Sequence, residues 1–377
     1  MTSSPHQLFT TITDDHELVL SVEPLEVAAP GPDEIVVAVQ AAPINPSDLG
    51  LLLGPADLSS ARREEVGDHP ALVASLHPAG RRLVAGRLGK KLSAGNEGAG
   101  VVVAAGSSEA AQSLLGKTVT AVGGSMYRTH RVLHHRRVLQ LPDGAAASEG
   151  ASLFVNPMTV QAFLTTMREE SHTAIVHTAA ASNLGQMLAK HCEKEGVPLV
   201  AIVRREAQRE LLLGLGVPYV VNSSVDTFFE DLVSALVASE ATLCFDAIGG
   251  GDMANTVLTA MEVALKARGV RADLYGTPVH KQVYQYGRLD VGPTKLTPSY
   301  GMYWGVGGWL LTPRLQAQGH ERTLKMREYA IEERNGIFAS RYARTVGLVD
   351  LLDPETLRAI NAKGTNAKVL VDPSRGT

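Results

Sequence analysis

Two stretches of this sequence carry residue types that suit a bound dinucleotide. The first is Ala179-Ala180-Ala181-Ser182-Asn183-Leu184-Gly185, a small-residue run between an apolar segment, Thr173 to His177, and an amphipathic stretch from about Leu184. Such a turn lets backbone N–H groups approach a pyrophosphate at a helix N-terminus, where partial positive charge favours an anion. Glycine stands only at the end, so the G-x-G-x-x-G pattern is not met. Alanine and serine are nearly as small, and the strand-turn-helix context is intact. A plain strand-to-helix connection in an α/β protein without a nucleotide would read the same way. The second stretch is Arg204-Arg205, at the end of the apolar run Leu199-Val200-Ala201-Ile202-Val203. In a Rossmann unit an acidic residue about 20 positions past the turn bonds the ribose 2′-hydroxyl of NAD. A carboxylate there repels a 2′-phosphate, whereas guanidinium groups bind it bidentately. Ala181, Ser182, Asn183, Leu184, Gly185, Arg204 and Arg205 are therefore cofactor-binding candidates, and NADPH is predicted over NADH. The alternative is a pair of solvated arginines with Glu206 taking the ribose.

The elements that must position these residues follow from the hydrophobic pattern. From Thr173 onward strands alternate with helices. The helix from about Leu184 stops near Gly196, a helix from Glu206 to Leu213 ends at Gly214 or Gly216, and Tyr219-Val220-Val221 is a third strand. A helix over Val225 to Ala238, the strand Ala241 to Asp246, a helix of about Met253 to Lys266 and a strand Ala272-Asp273-Leu274-Tyr275 follow. This βαβαβ order calls for a doubly wound parallel sheet, a Rossmann-type domain of the α/β class. The end of the third strand at Asn222, Gly249 beyond the fourth, and Tyr275 and Gly276 at the end of the fifth join the cofactor-contact candidates. From about Glu17 to Leu141 the texture differs, with short β-branched runs such as Glu34 to Val39 and Gly100 to Val103 separated by turn residues. The C-terminal part returns to that texture: a helix of about Pro313 to Asn335, another from Pro354-Glu355, and a closing strand Ala367 to Val371. The expected organisation is a discontinuous, β-rich catalytic domain over 1–152 and 312–377, with a nucleotide-binding domain over 153–311 inserted in it.

Composition narrows the function classes. The chain of 377 residues, 45% hydrophobic and with a formal net charge of -4, is long enough for two cores and has no global pull toward nucleic acid or an anionic membrane. No basic and apolar leader opens it and no apolar stretch approaches the length of a membrane span, so a cytoplasmic location is the expectation. The two cysteines, Cys192 and Cys244, cannot build a disulfide framework or a four-cysteine zinc knot. The histidine-rich run His130-Arg131-Val132-Leu133-His134-His135 fits an exposed strand better than a metal site.

Several ordered segments resemble the medium-chain dehydrogenase/reductase superfamily, in its zinc-free branch of quinone oxidoreductases and 2-enoyl thioester reductases. Asn45-Pro46-Ser47-Asp48 resembles that branch's N-P-S-D segment, and Gly95-Asn96-Glu97-Gly98-Ala99-Gly100 its G-x-E-G-A-G signature. Val155-Asn156-Pro157-Met158-Thr159 is similar to the segment that enters the cofactor domain. The turn at Ala179 to Gly185 looks like A-A-A-G-G-V-G with Ser182 and Asn183 replacing two glycines. Phe245-Asp246-Ala247-Ile248-Gly249-Gly250 and Asn366 to Val371 match later signatures. The resemblance covers nearly the whole chain and implies a GroES-like catalytic domain and a homodimer, with an edge strand near Tyr300-Gly301-Met302-Tyr303-Trp304.

Zinc members of the superfamily carry Cys where this chain has Asn45 and His where it has Asn96, so no metal is expected. Without a Lewis acid to stabilise an alkoxide, the implied chemistry is hydride transfer to an electron-poor acceptor, a quinone or an α,β-unsaturated carbonyl, whose developing negative oxygen needs hydrogen-bond donors. The resemblance makes Asn45 and Thr159 candidates for that role and Asn156 a cofactor contact, while turn initiation accounts equally for Asn45 and Asn156. Enoyl thioester reductases have a tyrosine shortly after N-P-S-D. Here that stretch is Leu53-Gly54-Pro55-Ala56, which ranks the quinone reading above the thioester one, with Tyr127 as the candidate substitute donor. An apparent insertion at 55–92 carries Arg62, Arg63, Arg81, Arg82, Arg87, Lys90 and Lys91. It reads as a solvated loop, or as an anion clamp for a coenzyme A phosphate. A third class, an NADPH-binding protein with a nucleic-acid role, needs exposed aromatics beside that basic segment, and an aromatic content of 5% opposes it.

Overall fold

The computed structural model describes residues 4–362 and 364–376. Two compact units appear: Met1–Val155 with Glu328–Thr377, and Asn156–Arg327. Against the expected limits, 312–327 belongs with the nucleotide unit. Gln161 on the helix Val155–Glu169 donates to the Met326 carbonyl (2.9 Å), and Arg322 reaches Glu169 (3.3 Å). The expected helix over Pro313 to Asn335 is two helices, Leu311–Gln318 and His320–Glu332, broken at Gly319, whose φ of 83° suits glycine.

The discontinuous unit is β-rich. A five-stranded sheet runs in the order Arg62–Val66, His69–Ser75, Glu17–Pro24, His6–Ile12, Leu92–Ser93. A second sheet is organised on Glu34–Pro43, which pairs antiparallel with Glu97–Ala105, with His130–His134 and, at its end, with the closing strand Val369–Val371. Inward residues of both sheets, among them Leu8, Leu18, Leu20, Ile35, Val37 and Val119, build one core. The insertion is only partly a solvated loop. Its segment His69–Ser75 is a strand hydrogen-bonded to Glu17–Pro24, with Leu72 and Ala74 fully buried. The apolar run Ala71 to Ala74 outweighs the basic residues around it.

The other unit is a six-stranded, wholly parallel sheet in the order Tyr219–Asn222, Leu199–Val203, Ile175–His177, Leu243–Asp246, Lys281–Gln285, Trp304–Gly308. The chain builds outward from its first strand in one direction, then returns and builds in the other, leaving a switch point beside Ile175–His177. All five residues of Leu199–Val203 are buried, as a strand covered on both faces requires. The helix Asn183–Glu195 starts on the Ser182 cap and stops at Gly196 in the left-handed region, φ 65°.

Two sequence expectations fail in this unit. Ala272 to Tyr275 is not a strand: the Tyr275 N–H donates to the Asp273 carboxylate (2.7 Å) and Asp273 and Gly276 bond each other's backbone, closing a tight turn. The fifth strand is Lys281–Gln285. Of the segment Tyr300 to Trp304, only Trp304 lies in the edge strand, Trp304–Gly308, while Tyr300 is fully buried with its ring edge-on to Trp304.

Candidate functional site

In the nucleotide unit the candidate site lies at the carboxyl ends of the parallel strands. Thr178, directly after the first strand, donates its hydroxyl to Asp246 Oδ1 (2.7 Å) at the end of the fourth. The same hydroxyl accepts the Ala247 N–H (2.8 Å), and Asp246 accepts the N–H groups of Ile248 (2.9 Å) and Gly249 (3.0 Å). This lattice fixes the switch point and holds Gly249 where the sequence placed it. Beyond Thr178 the backbone turns through Ala179 at φ 50°. Ser182 accepts the Gly185 N–H (3.1 Å), and a Cβ at Gly185 would lie 2.1 Å from the Ala180 carbonyl oxygen, so only glycine lets the helix approach its strand this closely. Ser182, preceded by Ala181, thus caps a thirteen-residue helix that Asn183, Leu184 and Gly185 open, where an anion is favoured.

Arg204 and Arg205 follow the second strand on the same edge and are exposed. The Arg204 carbonyl accepts from the Ser224 hydroxyl (2.8 Å), and the Ser224 N–H donates to the Asn222 side chain (3.0 Å), so Arg204 and Asn222 are drawn together. Glu206, the acidic alternative, pairs with Arg209 (2.9 Å). Asn156 and Thr159 are buried in the first two turns of the helix Val155–Glu169, on the face that carries Phe163. Phe163 stacks on Phe245 (3.8 Å between centroids) and meets Tyr286 edge-on (4.9 Å).

Tyr275 and Gly276 are misplaced as cofactor contacts. Their turn precedes the fifth strand, so it lies at the amino edge of the sheet, opposite the phosphate turn. The residues that do follow the fifth strand are Tyr286 and Gly287, neither of them among the expected cofactor contacts. The Tyr286 N–H bonds the Asp246 carbonyl (3.0 Å), its hydroxyl lies 2.7 Å from His177 Nε2, and the two rings stack. Burial lowers the His177 pKa to about 3, so this imidazole is neutral and serves packing.

The β-rich unit brings together a buried polar cluster. Asn45, Asp48 and Glu97 are each 1% exposed. Asn45 Nδ2 donates to Glu97 Oε1 (2.8 Å), and Glu97 Oε2 accepts the N–H groups of Phe154 (2.7 Å) and Val155 (3.0 Å). Asp48 accepts from the Asn45 N–H (2.9 Å) and the Asn96 N–H (2.8 Å). Burial pushes Asp48 up to about 7 against those two N–H groups, and raises Glu97 against the charge of Lys368. Lys368, next to the closing strand, has a buried Nζ with no hydrogen-bond partner, and burial lowers it to about 8 while Glu97 and Asp48 work the other way. Glu97 thus accepts from three donors and Asp48 from two. Asp48, Glu97 and Lys368 were not among the sequence candidates, although Asp48 and Glu97 stand inside the two quoted motifs.

Two catalytic expectations change here. The Asn45 amide donates inward, to Glu97, and leaves its Oδ1 as a buried acceptor without a partner. Tyr127 is fully buried and its hydroxyl donates to the Pro43 carbonyl (3.1 Å), while burial and the neighbouring Asp48 and Glu97 raise its pKa well above the usual value. It packs as a wedge in the core, with its hydroxyl committed to the Pro43 carbonyl. In the insertion, Arg62 pairs with Glu17 and Glu64, and Arg87 caps the Leu51 carbonyl (2.6 Å), so two of the cations proposed as an anion clamp serve the fold. Among the described residues no three His, Cys, Asp or Glu side chains converge as a metal site needs, and no helix is long and apolar enough to cross a membrane.

No family model matches the chain. It is 25% identical over 248 residues to the mitochondrial enoyl-[acyl-carrier-protein] reductase of Bos taurus, covering 63% of this chain and 57% of that protein. The chain spans a little over half the length of the curated relatives it matches. A putative NADPH:quinone reductase from Mesorhizobium loti superposes with a TM-score of 0.72 at 23% identity, over 99% of this chain and 100% of that one. The quinone oxidoreductase of Escherichia coli, solved with NADPH, superposes with a TM-score of 0.65 at 16% identity, over 94% and 96%. Enoyl thioester reductases stand beside quinone reductases among the solved neighbours. The chain has the fold shared by the quinone oxidoreductases and enoyl thioester reductases of the medium-chain dehydrogenase/reductase superfamily.

Proposed function

We propose that the chain is an NADPH-dependent oxidoreductase that reduces a quinone or a similar electron-poor carbonyl acceptor without zinc. The observation that carries this reading is Arg204-Arg205 past the second strand of a doubly wound sheet, with the competing Glu206 turned to Arg209. Bound NADPH would supply the hydride. The chain's part is to seat the pyrophosphate on the helix turn Ala181 to Gly185, to meet the 2′-phosphate with the two guanidinium groups, and to hold the nicotinamide end among Asn156, Thr159 and Gly249. In the β-rich unit the resemblance makes Asn45, bonded to Glu97, the candidate to act on the acceptor. The reading carries a cytoplasmic homodimer that pairs along Trp304–Gly308, with a small-molecule substrate, no metal and no membrane or nucleic-acid partner.

A second reading, reduction of a 2-enoyl thioester, is favoured by the curated relatives, all enoyl-[acyl-carrier-protein] reductases. Against it, the candidate substitute tyrosine, Tyr127, has its hydroxyl committed to the Pro43 carbonyl. NADPH consumption with 1,2-naphthoquinone, with crotonyl-coenzyme A and with neither separates the readings. Turnover of the quinone is the expected result. Turnover of the thioester alone reverses the order, and no turnover of either rejects both.

A further inference from the structure

Three arginines stand around the end of the second strand of the parallel sheet, and they are not used alike. Arg204 and Arg205 are exposed and, among the described residues, pair with no carboxylate. Arg204 is fixed through its backbone instead: its N–H donates to Gln208 Oε1 (3.1 Å) and its carbonyl accepts from the Ser224 hydroxyl (2.8 Å). Arg209 is committed. Its Nη1 donates to Glu206 Oε1 (2.9 Å), and its Nε donates to the Val220 carbonyl on the neighbouring strand Tyr219–Asn222 (3.4 Å). Glu206 opens the helix Glu206–Leu213, so helical geometry sets Arg209 one turn further along the same face, with the acid toward the N-terminus, the favourable order for such a pair.

A carboxylate at the end of this strand is the group that bonds the ribose 2′-hydroxyl of NADH, and the same charge repels the 2′-phosphate of NADPH. Glu206 is the acidic residue nearest that end, and it has room to move. With Arg209 and Asn222 it lines a groove of about 470 Å3 along the outer margin of Tyr219–Asn222, and Asn222 is joined to Arg204 through Ser224. We propose that Arg209 is a positioning residue that sets cofactor specificity by subtraction: braced on the Val220 carbonyl, it occupies the Glu206 carboxylate, withholds it from a ribose 2′-hydroxyl and cancels its repulsion of a 2′-phosphate. This rests on the NADPH reading above. Selection then has two parts, a pair of open guanidinium groups that attract the phosphate and a third that silences the acid serving the competing cofactor. Arg209 acts through Glu206, so its removal should move the two cofactors in opposite directions, whereas loss of a structural brace weakens both.

Calorimetric titration with NADPH and with NADH, without any acceptor, tests this apart from turnover. An exposed ion pair shifts an equilibrium by no more than about fivefold, so Arg209→Met is expected to tighten NADH about threefold and weaken NADPH about threefold, roughly a tenfold fall in the preference. Arg209→Lys, which keeps a cation in reach of Glu206, returns both affinities toward wild type. Adding Glu206→Gln to Arg209→Met cancels the NADH gain and restores NADPH. A shift of the same sign for both cofactors, an unmoved preference, or an NADH gain that survives Glu206→Gln overturns the proposal. Should Arg209→Met not fold, Arg209→Gln is read the same way. The double variant Arg204→Ala with Arg205→Ala separates the two readings. If wild type has no preference for NADPH, or the double variant keeps it, the cofactor reading fails and the role of Arg209 falls with it. If the double variant loses the preference and Arg209→Met keeps it, only the role of Arg209 fails.

Discussion

Replacing Arg204 and Arg205 together with alanine probes the cofactor assignment where it is most exposed. Both guanidinium groups are solvent-exposed beyond the end of the second strand. A charge-assisted hydrogen bond contributes about 1.5–3 kcal/mol, and exposure with ionic screening holds these to the lower end, about 1–2 kcal/mol per arginine. Since about 1.4 kcal/mol is tenfold, the double variant should lose roughly a hundredfold in kcat/KM for NADPH. NADH, which has no 2′-phosphate, should change little. Glu206 is at hand for its 2′-hydroxyl: the pair with Arg209 joins side chains 57% and 41% exposed, and such surface pairs contribute under about 1 kcal/mol. Steady-state kinetics with both cofactors at low and high salt measure the effect, and added salt should erode the NADPH preference of wild type but not of the variant. An unchanged NADPH to NADH ratio, or a parallel loss with both, refutes the assignment.

Three further outcomes are expected. Gly185→Ala places a methyl 2.1 Å from the Ala180 oxygen, so the helix must retreat, costing about 1–3 kcal/mol of stability and at least about tenfold in NADPH affinity by calorimetric titration. Lys281→Met takes from the buried Glu262 its shorter ion pair, 2.7 Å, leaving Lys266 at 3.2 Å, and should cost about 2–3 kcal/mol in urea unfolding, with less lost when Glu262→Gln is added. Burial works to raise Glu262, but bonds from Lys281, Thr277 and Lys266 outweigh it and lower it to about 2. A depressed carboxyl contributes stability above its unfolded pKa and loses it as pH falls, so melting against pH should show wild type losing this advantage between about 4.5 and 2. Tyr127→Phe should cost about 1 kcal/mol for the bond to Pro43 and leave kcat within about twofold; a tenfold loss of kcat would restore Tyr127 as a donor.

The parallel sheet was legible because its strands are buried on both faces and its helices carry their own stop signals, as Gly196 does in the left-handed region. The places of Ala179 to Gly185 after the first strand and of Arg204-Arg205 after the second follow from that register. The fifth strand was misread because Ala272 to Tyr275 resembles a short apolar run, while the asparagine-like turn made by Asp273 is a local bond that hydrophobicity does not report. One wrong strand carried Tyr275 and Gly276 to the opposite edge. Asp48, Glu97 and Lys368 were missed for a different reason. They lie at 48, 97 and 368 in the chain, and their encounter depends on the closing strand pairing with Glu34–Pro43, a long-range contact without a local signature.

The strand His69–Ser75 has a consequence for how this architecture can vary. It seals the flank of Glu17–Pro24 with five residue pairings and sinks Leu72 and Ala74 into the core. Excising it would strip that flank and leave a raw hydrogen-bonding margin of the sort that recruits foreign strands. The stretch that looks in the sequence like a dispensable basic ornament is therefore a graft that has become a wall. Its rim, Arg81 and Arg82 on the 3-10 helix Pro78–Arg87, can be altered freely, whereas any shortening must replace the strand as a whole.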